Sequence, residues 1–168
     1  MKVFEIKHVK DFMSKLLLTD LFDHFLLSEA TICGKVTYVV DGRLTKDFWT
    51  TEELDTNGLS DSVYAPFSLL RTNCYDLIKG KKTPSSFRFV FLLSPENLAN
   101  TIASSNSGFS PENLSAAFLN IKYLNGQLTC TTGISYKTFS LDHSFEQYWD
   151  TLAARFLGNH GIDFDEPA

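Results

Sequence analysis

Lys79, Lys81 and Lys82, gathered around Gly80, are the densest run of positive charge in the chain. Ammonium groups this close together can hold a phosphate or a carboxylate through charge-assisted hydrogen bonds. The loop is therefore a candidate binding site for an anion or an acidic partner. It is no phosphate cradle of the glycine-rich kind, because neither GxxxxGKS/T nor GxGxxG occurs. The same lysines also follow an expected helix end, where the free carbonyls of the last turn favour cations for structural reasons alone.

Cys130 and His143, with Asp142 beside the imidazole, are the nearest thing to a nucleophile, a base and an orienting carboxylate. A catalytic thiol has to be reachable and held as thiolate by a positive neighbour. The strand register argued below turns Cys130 toward apolar neighbours instead, so no catalytic residue is assigned. Cys33, Cys74 and Cys130 have no CxxC spacing, and His8, His24, His143 and His160 have no HxH, HxxxH or HExxH spacing. Neither metal nor cofactor is expected. Asp41, Glu52, Glu53, Asp55 and Asp61 lie in turn-rich sequence, where carboxylates serve solvation and turn chemistry more often than acid–base catalysis. Two aromatic pairs, Phe48-Trp49 and Tyr148-Trp149, mark another kind of site. Phe48, Trp49 and Tyr148 are candidate interface residues, since exposed aromatics mark protein interfaces; capping the edge of the core is the alternative.

Composition sets the frame for these candidates. The chain has 168 residues, 43% apolar and 21% charged, enough for one packed domain and short for two. Its 15 phenylalanines point to a bulky core with apolar surface to spare. A net charge of −5 repels phosphate backbones and makes nucleic acid an unlikely partner. The N-terminal stretch has no apolar core and no cleavage site, and no apolar run is long enough to span a bilayer. A cytoplasmic, membrane-free setting is expected.

The elements that must position the candidates follow from periodicity. Lys2–Lys7 reads as a strand, and the spacing of Val9, Phe12, Met13, Leu16 and Leu17 predicts a helix. Phe25–Ile32, Lys35–Val40 and Arg43–Trp49 read as strands, the last two joined by an Asp41-Gly42 hairpin. Thr50–Ala65 is polar and aperiodic, a surface loop. Pro66 opens a helix over Phe67–Ile78 that Gly80 ends. The apolar run Phe87–Leu93 reads as a central strand covered on both faces. Ser94 caps a helix with Pro95 at its first position, running to Gly108. Ser110-Pro111-Glu112-Asn113-Leu114 echoes that start and reads as a helical turn.

Asn125-Gly126 is the strongest hairpin signal, because both centres of a type I′ turn need positive φ. It places Tyr123 opposite Leu128, Ile121 opposite Cys130, Leu119 opposite Thr132, Ala117 opposite Ile134, and Phe118 opposite Gly133. Ser144 and Gln147 can form a capping box for a helix with the stripe Phe145, Trp149, Leu152, Phe156, ending at Gly158. Ile162–Ala168 reads as a loose acidic tail. The fold class is α+β, a mostly antiparallel sheet with helices packed on it, in one domain over residues 1–168.

Asp41-Gly42-Arg43-Leu44-Thr45 matches Asn125-Gly126-Gln127-Leu128-Thr129. Residues 1–50 and 86–141 can thus be read as two βαβββ halves, with a helical insertion at 66–80 and a C-terminal helix at 144–158. On element order and the two hairpin signals the pattern resembles one domain of a DNA sliding clamp. That resemblance implies cationic helices facing a duplex; here the first helix offers Lys10 and Lys15, and residues 95–107 carry Glu96 and no cation. A second resemblance rests on Lys79-Gly80-Lys81-Lys82-Thr83-Pro84 running into residues 87–98, together with Cys130-Thr131-Thr132-Gly133. In these the chain looks like a family of small uncharacterised Firmicute bacterial proteins, a domain of unknown function, which implies a bacterial setting and no activity. The expectation is a non-enzymatic binding or interaction module with a protein partner or a second copy of itself. The alternatives are a clamp-like nucleic-acid accessory protein and an enzyme whose site is assembled from scattered residues.

Overall fold

The computed structural model describes residues 1–167; Ala168, the end of the expected tail, lies outside the described residues. The strands are β1 (Val3–Ile6), β2 (Leu26–Cys33), β3 (Thr37–Asp41), β4 (Ala65–Pro66), β5 (Ser86–Leu92), β6 (Leu114–Leu124), β7 (Gln127–Tyr136) and β8 (Phe164–Asp165). They form one sheet in the order β3-β2-β5-β6-β7-β1-β8, with β4 also on β2. Every pairing is antiparallel. The helices are α1 (Val9–Leu18), α2 (Thr51–Thr56), α3 (Phe67–Ile78), α4 (Pro95–Ser105) and α5 (Ser144–Asn159). The α+β class expected from the sequence is the class of the fold.

Side chains alternate across a sheet, so one register line explains the core. Val40, Ala30, Phe89, Ile121, Cys130 and Phe4 stand side by side across six strands. All but Val40 at the rim are buried, and they pack on Phe12 and Leu16 of α1, Phe67 and Cys74 of α3, Ile102 of α4 and Trp149 of α5. The neighbouring line of Val39, Thr31, Arg88, Lys122 and Thr129 is half-buried or exposed. One face therefore carries the helices and the other remains open. β5 is central, yet Arg88 on its open face corrects the expectation of a strand covered on both sides. Among the described residues no helix is long and apolar enough to cross a membrane.

The Asn125-Gly126 hairpin forms as read, with φ of 54° and 79°, and all five expected pairs are in register. Ser94 caps α4 through its side chain, which accepts from the Asn97 amide at 3.2 Å. That helix stops at Asn106 in the left-handed region, short of Gly108.

Other expectations are corrected. Arg43–Trp49 is no strand: Arg43 makes a single bridge to Tyr64, and Lys46–Phe48 is a 3-10 turn. Asp41-Gly42 is no hairpin either, because the turn joining β2 to β3 runs over residues 34–36. Gly42 is needed for a close approach: a Cβ there would sit 1.7 Å from the Leu27 carbonyl oxygen. Its amide donates to the Ser28 carbonyl at 2.9 Å, and its carbonyl accepts from Ala65 at 2.8 Å. The first unit therefore lacks the last strand of a βαβββ half.

The supposed loop Thr50–Ala65 contains α2, closed by a capping box between Thr50 and Glu53. α2 buries nothing, so it has no apolar stripe to betray it. Pro66 caps α3 from outside and pairs in β4. Residues 110–113 form a turn leading straight into β6. The Ser144–Gln147 box is absent; Asp142 accepts the Ser144 amide at 2.9 Å instead. α5 buries Phe145, Trp149, Ala153 and Leu157, while Leu152 and Phe156 are half-buried. The tail is not loose: Ile162 is buried and β8 pairs with β1.

Candidate functional site

At one corner of the sheet the turn between β2 and β3 faces the end of α3 across a cleft of about 540 Å³. Local sequence builds both walls. Gly34-Lys35-Val36 forms the short connection that folds β3 back along β2. On the other side α3 ends at Lys79, and Gly80 takes φ of 144°, a conformation that side chains disfavour. The loop is then moored to the sheet, because the Ser85 amide and hydroxyl both donate to the Cys33 carbonyl, at 2.9 and 3.1 Å.

Four lysines line this cleft: Lys35 from the turn, and Lys79, Lys81 and Lys82 from the loop. No Asp or Glu lines it, and the apolar surface comes from Ile32, Tyr38, Leu77 and Ile78. Lys79 is already engaged, 3.0 Å from Asp76 and 5.8 Å from the centre of the Tyr75 ring. Lys35, Lys81 and Lys82 are exposed and make no ion pair among the described residues. Sequence reasoning found the three loop lysines and missed Lys35. The available signal was the Gly34-Lys35 step between two apolar runs, which marks a turn but not what the turn faces.

The open face of the same corner carries Lys122 and Arg88, the latter 3.6 Å from Glu29. A shallower depression beside Cys33 is bordered by Arg88 and Lys122 and likewise lacks carboxylates. The Cys33 thiol is drawn below its ordinary pKa, first by the Ser86 hydroxyl and then by that of Thr37. Thr37 Oγ1 lies 3.6 Å from its sulfur.

The other candidates are dispersed. Cys130 is fully buried, and burial pushes its thiol far up; burial also raises Cys74, to about 11. His143 is exposed and meets Glu146 at 3.2 Å. Phe48 is 89% exposed, Trp49 is half-buried, and Tyr148 packs against the core from α5. No ring contact joins Phe48 or Trp49 to Tyr148 among the described residues. No group of three His, Cys, Asp or Glu stands where it could hold a metal ion among the described residues. What this corner can do chemically is attract and neutralise carboxylates or phosphates next to an apolar wall.

Fold and cleft together define a small open-faced α+β protein with a cationic groove at one corner of its sheet. The chain belongs to a family of unknown function, DUF5721, whose model matches residues 15–165. No curated protein and no solved structure matches it.

Proposed function

We propose that this protein is a non-enzymatic binding module that receives an acidic protein partner at the lysine-lined cleft. One observation carries the reading: a chain of net charge −5 gathers Lys35, Lys79, Lys81 and Lys82 around a groove that no carboxylate lines. Lys79 is compensated by Asp76, but Lys35, Lys81 and Lys82 have no ion-pair partner among the described residues, and an incoming set of carboxylates removes their repulsion. The apolar wall of Ile32, Tyr38, Leu77 and Ile78 favours a ligand with apolar groups beside its charges over a bare ion. A bacterial cytoplasmic setting accords with this reading and with the resemblance noted from the sequence.

A selection from a random linear peptide library tests it. The expected outcome is enrichment of Asp- and Glu-rich peptides whose binding weakens with salt, as interactions between exposed charges must. The Lys35→Glu/Lys81→Glu/Lys82→Glu variant, folded by circular dichroism, should bind them at least about tenfold more weakly. Enrichment without acidic bias, unchanged binding to the variant, or no enrichment would each overturn the proposal.

A further inference from the structure

We infer that the acidic partner binds as an added β-strand along β3, its alternate carboxylates reaching the lysines of the cleft; this rests on the cleft being the binding site. The sheet ends at β3, and β3 has only β2 as a neighbour. Every second residue of such an edge turns its N–H and C=O outward. Proteins blunt open edges with proline, inward charges, bulges or a covering loop. Thr37-Tyr38-Val39-Val40-Asp41 has no proline and no charge before its last residue, and its pairing with β2 is unbroken. Val36, Tyr38 and Val39 are exposed large apolar side chains, at 56%, 45% and 65%.

The register joins edge to cleft. Tyr38 pairs with Ile32, and both line the cleft, whereas Val39 pairs with Thr31 on the open face. A strand laid beside β3 alternates in the same way. Side chains level with Tyr38 enter the lysine-lined cleft on the helix-bearing face, and those level with Val39 stay on the open face. The occupant that fits is an extended segment with Asp or Glu at every second position and Val or Thr between, recognised by main-chain pairing plus alternate side chains. A second copy of β3 fits less well: its one carboxylate, Asp41, already accepts the Arg43 amide at 2.9 Å, and Lys35, Lys81 and Lys82 remain to be neutralised.

The test uses the full chain and a fluorescent peptide of alternating Val and Glu. Two derivatives carry N-methyl groups on alternate amides, one on the Val set and one on the Glu set. A third peptide has the same composition in two blocks. Strand addition predicts that one N-methyl series loses binding by about tenfold or more while the other keeps it, since only one set of amides faces β3. It also predicts that the block peptide binds more weakly than the alternating one, and that amides of residues 37–41 exchange more slowly in the complex. If binding depends on Lys35, Lys81 and Lys82 but both N-methyl series bind alike, the added strand is wrong and the cleft reading stands. If the alternating peptide shows no lysine-dependent binding, both fall. Protection of residues 37–41 that rises with protein concentration in the absence of peptide would assign the edge to a second copy and overturn the inference.

Discussion

The two ends of the sheet solve the same problem in opposite ways. At one end β8 is two residues long; it contains the charged Asp165 and is flanked by Asp163 and Glu166. Lys2 and Lys7 reach across to Glu166 and Asp165 at 2.8 and 3.0 Å. Such an edge is too short and too charged to template another strand. At the other end β3 is five residues long, apolar and exposed. The lysines near it line a cleft beside the edge, where under the proposed function they would select what approaches. One edge is closed and the other is open, and that difference is what sets the proposed binding edge apart from the rest of the sheet.

Thiol reactivity should separate the two sides most sharply. Cys33, half-exposed at the β2–β3 turn, should be alkylated on the order of a thousandfold faster than Cys130, which pairs with Ile121 and Phe4 inside the core. Peptide mass mapping after timed iodoacetamide pulses measures this. Comparable rates would mean that the β7–β1 side opens as readily as the β3 side. The next largest effect belongs to the residue that anchors the open edge. Gly42→Val forces a Cβ onto the Leu27 carbonyl and should destabilise by about 3 kcal/mol or more in urea unfolding. Gly126→Ala meets no atom within 4 Å and should lose only about 1 kcal/mol, through its positive φ.

Those two glycines also show where sequence reading succeeds and fails. Asn125-Gly126 is legible because a type I′ turn fixes its own backbone angles, and the register of β6 and β7 follows from two residues. Asp41-Gly42 looks alike and means something else. Its glycine answers to Leu27, at the bulge where β2 is passed from β3 to β4, and no local pattern contains that partner. The same division runs through the rest. The Ser94–Pro95 cap and the stripe of α1 were local and readable, whereas α2 buries nothing and β8 is too short to show alternation. The lysine loop was legible as composition. Its place in a candidate site was not, because Lys35 joins it only when β3 folds back along β2.

At the closed end the smaller effects should sort by chemistry. Phe164 is half-buried with its ring 4.9 Å from that of Phe4, edge to face. Phe164→Ala should lower stability by about 1–2 kcal/mol, less than full burial would give, and leave peptide binding at β3 unchanged. A loss of binding there would mean that the two edges communicate through the sheet.

The smallest effect is expected from Lys2→Thr and Lys7→Thr. Their ion pairs with Glu166 and Asp165 are between two-fifths and two-thirds exposed, so water and salt screen them and each contributes about 0.5 kcal/mol or less. β8 is instead held by its backbone pairing to β1 and by the Phe4–Phe164 contact. If the charges guard the edge rather than hold it, the double variant should unfold at nearly the same urea concentration and yet self-associate more as protein concentration rises. Analytical ultracentrifugation reads the second change and denaturation the first. A loss of stability well above about 1 kcal/mol, relieved by neither salt nor dilution, would show that the closed edge is closed by its lysines, and the contrast with β3 would then rest on edge length alone.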